Sequence, residues 1–511
     1  MTSGNLRVVF VFPPHVGHIN PSLPIARRLV ELGHEVHYVC HDPLRLKIEA
    51  TGAVFHSAVD CEPELYLGRG TDFFSMLTHL MEEFGVDREK VVVALWQLMN
   101  VMTAKMLPGL LRLLREFKPD VIIACPLCCP EGSAVAEAIG RPSVALITLA
   151  GPGAISLSLE ESLAAEKVSY QELDLLRRTF LANIAAVRQL KEEFGVRREA
   201  GLPFAIGHLD SIGNAEFTLS TTLEDLEDPM SPDLKRDYTA AGATLVAVGP
   251  LLDHVQAVGA CGIVAKVKAA RATGRQVVLV SMGTVVTGDM PCIGWQGRPT
   301  GEDGQPRGLC GKELCQAAWS GAFDAFGASD AEEGALIVVA VGTQTDALDG
   351  LTPPANAICC PFFPQVDILR AGVDLFLTHG GQNSFTESLA HGTPMVVCPG
   401  FGDQITNGHK AIALGVGLKV DRPNPEGGRH AAAAAAAQYR SDVQSALLLV
   451  IAGRQFGAAA SCCAERLSRA GGVDLAIDLV LQAARRGDKS KVKVKSDATT
   501  MRQSPASFAG C

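Results

Sequence analysis

Val8-Val9-Phe10-Val11-Phe12-Pro13-Pro14-His15-Val16-Gly17-His18-Ile19-Asn20-Pro21 reads as the opening of a βα unit. Five consecutive apolar residues suit a central parallel strand covered on both faces, and Pro13-Pro14 ends it. Asn20 followed by Pro21 has the form of a helix N-cap and first helical position. Leu23, Ile25-Ala26 and Leu29-Val30 supply an apolar stripe at helical spacing. Gly33 closes that helix, and Val36–Cys40 is the next strand. The same alternation continues through Val121–Ala124 and Val144–Leu149. A second series begins near Leu245, with strands at Val277–Val280, Leu336–Val341, Ala357–Cys360, Leu375–Leu377 and Met395–Cys398. Strands alternating with helices predict an α/β protein with two Rossmann-like, doubly wound parallel sheets.

Residues 1–247 and 248–455 read as the two Rossmann-like domains, joined at Val248-Gly249-Pro250-Leu251, followed by 456–486 as a C-terminal helical stretch and 487–511 as a basic tail. Thr287–Glu333, rich in Gly, Pro and Asp, reads as an insert: a lid, an interaction loop or a disordered segment. Ala431–Ala437 is a run of seven alanines, a strong helix former. Lys489, Lys491, Lys493 and Lys495 give the tail its charge, with a solvated tail as the default reading.

Composition narrows the function. The 511 residues carry a net charge of −10 and only 5% aromatics, which argues against a nucleic-acid partner. Fifteen scattered cysteines suit a mostly reduced, cytoplasmic protein better than a disulfide framework. Cys125-Pro-Leu-Cys128 is a C-x-x-C without a second pair at zinc-finger spacing, so buried thiols are expected and no metal. Val8–Phe12 is too short for a signal peptide's apolar core. Val91–Leu111 carries Gln97, Asn100 and Lys105, and Ser143–Leu159 is broken by Gly151-Pro152-Gly153, so no integral membrane segment is expected.

The strongest chemistry lies in Thr378-His379-Gly380-Gly381-Gln382-Asn383-Ser384-Phe385-Thr386-Glu387, which follows a strand and opens a helix. Glycines allow close backbone approach, and a helix N-terminus favours a diphosphate. Ser384-x-x-Glu387 is equally a plain capping box. Phe362-Phe363-Pro364-Gln365-Val366-Asp367 lies upstream, and His391-Gly392-Thr393-Pro394 and Pro399-Gly400-Phe401-Gly402-Asp403-Gln404 lie downstream. Together this run resembles the nucleotide-sugar signature of the UDP-glycosyltransferases, glycosyltransferase family 1. Val11–Pro21, with Gly17-His18-Ile19-Asn20-Pro21, is similar to that family's opening segment. Val248–Leu251 and Ser281-Met282-Gly283-Thr284 also match, so the resemblance spans Leu6 to about Arg486.

The resemblance implies a GT-B fold, two Rossmann-like domains facing a cleft, with the acceptor on the first and the donor on the second. Phe362 would stack on uracil, where the family usually has Trp. Gln365 would bond the base or ribose, and Glu387 the ribose hydroxyls. His379, Gly381, Asn383 and Ser384 would hold the diphosphate, helped by Gly283 and Thr284. Asp403 and Gln404 would bind the sugar. His18 would be the catalytic base, with His15 its near competitor. A helix N-terminus beside His18 would disfavour its imidazolium form.

The chain departs from the family at Cys125, which stands where an aspartate usually orients the histidine; Glu131 is a second candidate from a shifted position. The expected activity is inverting transfer of a hexose, glucose first, from a UDP-sugar to a hydroxyl of a small lipophilic acceptor such as a sterol, phenolic or polyketide. No cofactor beyond the donor is implied. The alternatives are an impaired GT-B protein that binds a nucleotide sugar or partner without turnover, and an epimerase or hydrolase of the same fold. A dinucleotide dehydrogenase is disfavoured, since no G-x-G-x-x-G follows the first strand.

Overall fold

A computed structural model describes residues 5–68, 70, 73–253, 261–290, 293–298, 308–425 and 429–487. The basic tail, the start of the chain and parts of the expected insert lie outside the described residues. The chain divides into two compact units. The first runs up to Leu251 and resumes at Ala470; the second spans Leu252–Arg469.

The first unit holds seven strands: β1 Arg7–Val11, β2 Glu35–Cys40, β3 Val54–Ser57, β4 Val121–Ala124, β5 Ser143–Ile147, β6 Phe217–Ser220 and β7 Leu245–Ala247. They form one parallel sheet in the order β3-β2-β1-β4-β5-β6-β7. Leu245 therefore ends the first series and does not begin the second. Val8, Val9 and Phe10 on β1 and Val121, Ile122 and Ile123 on β4 are wholly buried, which is why these strands read as unbroken apolar runs. Phe10 stacks on Tyr38 at 5.2 Å between ring centroids.

The helix Val91–Phe117 is long and apolar enough to cross a membrane by length and composition. Its Leu98, Leu107, Leu110 and Leu114 are fully buried within the unit's core. A Cβ on Gly109 would lie 1.7 Å from the Cys61 carbonyl oxygen, so only glycine lets this helix approach so closely. The last described helix, Gly472–Gly487, packs on Ser22–Glu31, β4 and β6 and completes the first unit.

The second unit holds β8 Val277–Ser281, β9 Leu336–Ala340, β10 Ala357–Cys360, β11 Leu375–Thr378, β12 Met395–Val397 and β13 Gly417–Lys419, parallel in the order β10-β9-β8-β11-β12-β13. Part of the expected insert is an ordinary crossover element. Gly311–Phe326 is a helix between β8 and β9, with Leu314, Cys315, Ala318, Trp319 and Ala322 fully buried. Apart from Leu314 and Trp319 its apolar face is built from alanine and cysteine, which hid the periodicity. Glu313 starts it in a capping box with Cys310. This helix packs on Arg429–Ala452. The alanine run begins that helix, and Tyr439, Val443, Leu447 and Val450 continue its buried stripe.

Candidate functional site

Both sheets reverse their strand order at an internal point: between β1 and β4 in the first unit, and between β8 and β11 in the second. Loops leaving the C-terminal ends of strands on either side of such a point diverge and open a crevice, the usual ligand position in open α/β sheets. His18, Cys125, Gly283, Thr284, His379 and Gly381 fall on these loops, while Phe362 and Gln365 follow β10, Asp403 and Gln404 follow β12, and Asn383, Ser384 and Glu387 lie in the helix Gln382–Ala390.

In the first unit, His18 follows β1. Val16–Ile19 is one short helical turn, and the longer helix Ser22–Glu31 begins after it, with Pro21 at its N-cap. Asn20 is not the N-cap: it is helical, and its side-chain oxygen accepts a hydrogen bond from Lys47 at 2.7 Å. His18 thus sits within a helical turn rather than in a loop ahead of one.

Cys125 and Thr148 leave the ends of β4 and β5. His18 Nδ1 lies 3.3 Å from Cys125 Sγ and 3.2 Å from Thr148 Oγ1, and Cys128 Sγ lies 3.8 Å from His18 Nε2. Cys125 and Thr148 therefore meet His18 at the same ring nitrogen. Burial raises the Cys125 thiol, but hydrogen bonds with Cys128 and His18 and the charge of His18 outweigh it and hold Cys125 well below the usual thiol range. Cys128 moves the opposite way, pushed up first by its hydrogen bond to Cys125 and then by burial. Eleven described cysteines are free, and Cys462 is disulfide-bonded.

Glu131, the second carboxylate candidate, hydrogen-bonds Cys129 at the start of the helix Pro130–Ala138. Beside it an apolar pocket is lined by Phe12, Tyr66, Met76, Met102 and Met106. Burial raises the Glu131 carboxyl from an ordinary 4.5 to about 7. The stability its neutral form supplies is fully present below about pH 4.5 and is lost as pH rises to about 7. That span is worth about 3 kcal/mol. Glu131→Gln should therefore raise the melting temperature relative to wild type at pH 8, with the advantage shrinking or reversing at pH 5. A pH-independent difference in thermal unfolding would contradict this.

In the second unit, His379 leaves β11 and the helix Gln382–Ala390 begins after Gly381. A Cβ on Gly283 or Gly381 would meet His379 Nε2 at 2.5 or 2.6 Å, so both glycines make room for this ring. Burial lowers His379 to about 4, keeping it neutral near pH 7, and its buried Nδ1 has no hydrogen-bond partner. Gln365 Nε2 donates to Ser384 Oγ at 2.9 Å and to Glu387 Oε2 at 2.6 Å, which brings three of the expected donor residues together. Phe362 is 60% exposed, an open ring on the loop before Gln365.

Asp403 Oδ2 accepts the Gln382 backbone N–H at 2.9 Å, placing a carboxylate at the helix N-terminus. Gln404 is buried, and its side-chain oxygen accepts the Gly400 N–H at 2.8 Å. Thr284 is exposed and Asn383 half-buried beside these loops. Sequence reasoning missed Thr148 and Cys128 as neighbours of His18. Thr148 had one available signal, its place just after a parallel strand.

The family profile described as "UDP-glucoronosyl and UDP-glucosyl transferase" matches residues 342–424, which include Phe362 to Gln404. The NDP-glycosyltransferase YjiC of Bacillus subtilis is 21% identical over 80% of this chain and 83% of its own length. The uncharacterized UDP-glucosyltransferase YojK of the same organism is 28% identical over 30% of this chain, and the match spans only 35% of YojK. Among solved structures, the glycotransferase of kitacinnamycin has a TM-score of 0.60 at 21% identity, covering 94% of this chain and 99% of its own. The glycosyltransferase VinC in complex with DTDP has a TM-score of 0.57 at 15% identity, covering 94% and 100%. The two parallel-sheet units have the GT-B fold, and within the second of them residues 342–424 match the UDP-glucoronosyl and UDP-glucosyl transferase profile.

Proposed function

We propose that the protein transfers a hexose, glucose first, from a UDP-sugar to a hydroxyl of a small lipophilic acceptor, with inversion and with His18 as the base. The observation that carries this is the placement of His18, with Nδ1 held by Cys125 and Thr148. Nε2, with Cys128 Sγ 3.8 Å away, is then the nitrogen that takes the acceptor's proton as the oxygen attacks the anomeric carbon. A Cys125 thiolate then does what a carboxylate does in such pairs: it fixes the ring and stabilises the imidazolium. That contact argues against a donor-binding protein without turnover. The apolar side chains Phe12, Tyr66 and Met76, which share a cavity wall with Cys128, favour an apolar acceptor near His18.

The donor reading rests on the second unit. The N-terminus of Gln382–Ala390, with Asn383 and Ser384, takes the diphosphate, and neutral His379 adds a side chain beside it. Gln365 and Glu387 take the ribose and Phe362 the uracil face. Asp403 and the Gln404 amide group take sugar hydroxyls. No metal is needed, because helix-end N–H groups stabilise the leaving diphosphate. A cytoplasmic location suits the free thiols around His18.

Nucleotide release and product formation should be measured with UDP-glucose and dTDP-glucose against a panel of phenols, sterols and macrolides. A glycoside formed preferentially from UDP-glucose supports the reading. Preference for dTDP-glucose would overturn the donor assignment, and nucleotide release without glycoside would point to a hydrolase. Cys125→Asp should raise kcat by up to about tenfold if the thiolate is the weaker partner. An unchanged or lower kcat would show that the carboxylate is not what limits the rate.

A further inference from the structure

We infer that His18, Cys125 and Cys128 form a three-ligand site for a thiophilic divalent cation, Zn²⁺ above all, and that the bound ion silences the base. One ligand atom from each residue can be chosen so that all three lie within 4.8 Å of one another. The recorded separations are 3.3 Å for Cys125 Sγ to His18 Nδ1 and 3.8 Å for Cys128 Sγ to His18 Nε2. Those two separations run to different ring nitrogens, and a zinc ion takes one, so a tetrahedral ion with edges of roughly 3.5–3.8 Å needs one sulfur to turn toward the nitrogen that the other already faces.

The donor set is chemically selective. One imidazole and two thiolates favour zinc over magnesium or calcium, which prefer oxygen. The two sulfurs come from a C-x-x-C turn, Cys125-Pro126-Leu127-Cys128, at common zinc-ligand spacing. With three protein ligands the fourth position belongs to water or another small ligand. The pairing of Cys125 with His18 described above is the metal-free state of the same three side chains.

Ligation uses a lone pair of the imidazole, and the base needs one for the acceptor's proton. Zinc is therefore an inhibitor of transfer and not a cofactor. This consequence rests on the reading of His18 as the base; the binding of metal does not. Whatever keeps the free zinc concentration low then keeps the enzyme active.

The test is titration of the reduced full-length protein with cobalt(II), read by the thiolate-to-cobalt charge-transfer band, followed by competition with zinc. The expected result is one equivalent bound per chain, displaced by zinc. Affinity should fall by about tenfold or more in Cys128→Ser and in His18→Ala. Cys359→Ser, on β10 in the other unit, should bind as wild type. Thermal unfolding shows whether each variant is folded, and half-buried Cys128 is the mildest of the ligand changes. Absence of the band in wild type, or a folded Cys128→Ser that binds as tightly as wild type, overturns the site. Zinc that binds through these residues while transfer continues upholds the site and overturns His18 as the base.

Discussion

Replacing His18 with alanine is expected to lower transfer about 100- to 10,000-fold while UDP binding stays within about twofold of wild type. The loss follows from removal of the only group placed to accept the acceptor's proton in this account. The constancy of UDP binding follows from the separate location of the donor residues, Phe362 to Gln404, in the second unit. The variant's kcat, its UDP affinity by calorimetry and its thermal unfolding give three independent readings. A fall in UDP affinity parallel to the fall in rate would mean that His18 acts through structure. A rate within about tenfold of wild type would remove it as the base.

Gly381→Ala is expected to weaken donor binding by about 10- to 100-fold. The backbone at Gly381 has φ −57°, a conformation open to alanine, so strain in the main chain is not the cause. The added Cβ would stand 2.6 Å from His379 Nε2. Relieving that contact moves the ring or the start of the helix Gln382–Ala390, and overpacking of this kind costs about 1–3 kcal/mol. Pairing it with His379→Ala separates the causes, because the smaller side chain removes the clash. The double variant should bind UDP better than the sum of the two single losses predicts. Strict additivity would mean that the ring and the new methyl never meet. Gly283 is a less clean test, since its φ of +77° adds backbone strain to the same contact.

Much of the fold is legible in the sequence because both sheets are parallel and covered on both faces. That geometry writes β1, β4 and β8 as unbroken apolar runs. The strands that escape are short and polar in part. β3 is Val-Phe-His-Ser at a sheet edge, with Val54 half exposed, and β6 contains Thr218 and Ser220. The helix Gly311–Phe326 escapes for a different reason: besides Leu314 and Trp319 its buried face is glycine, alanine and cysteine, too small to reveal a stripe. Asn20 misleads because a lysine 27 positions later takes its side chain.

At the candidate site, the loops read more clearly than the contacts between them. A strand, two glycines and a helix start at Leu375–Ala390 are local features and need no partner to be seen. The surroundings of His18 are assembled from residues 107 to 130 positions away, so no local feature of Cys128 or Thr148 shows that they adjoin it. Gln404 shows the same limit from the other side. Its motif points to a sugar ligand, yet its oxygen is taken by the Gly400 N–H four residues earlier, leaving the amide group for that role.

The account's central claim is direct displacement at the anomeric carbon by an acceptor hydroxyl activated at His18. The measurement that tests it most directly is the anomeric configuration, by nuclear magnetic resonance, of the product made from UDP-α-glucose and an accepted phenol. The account predicts a β-glucoside, formed by wild type and formed at least about 100-fold more slowly with His18→Ala. An α-glucoside, or free glucose with no glycoside, would contradict it.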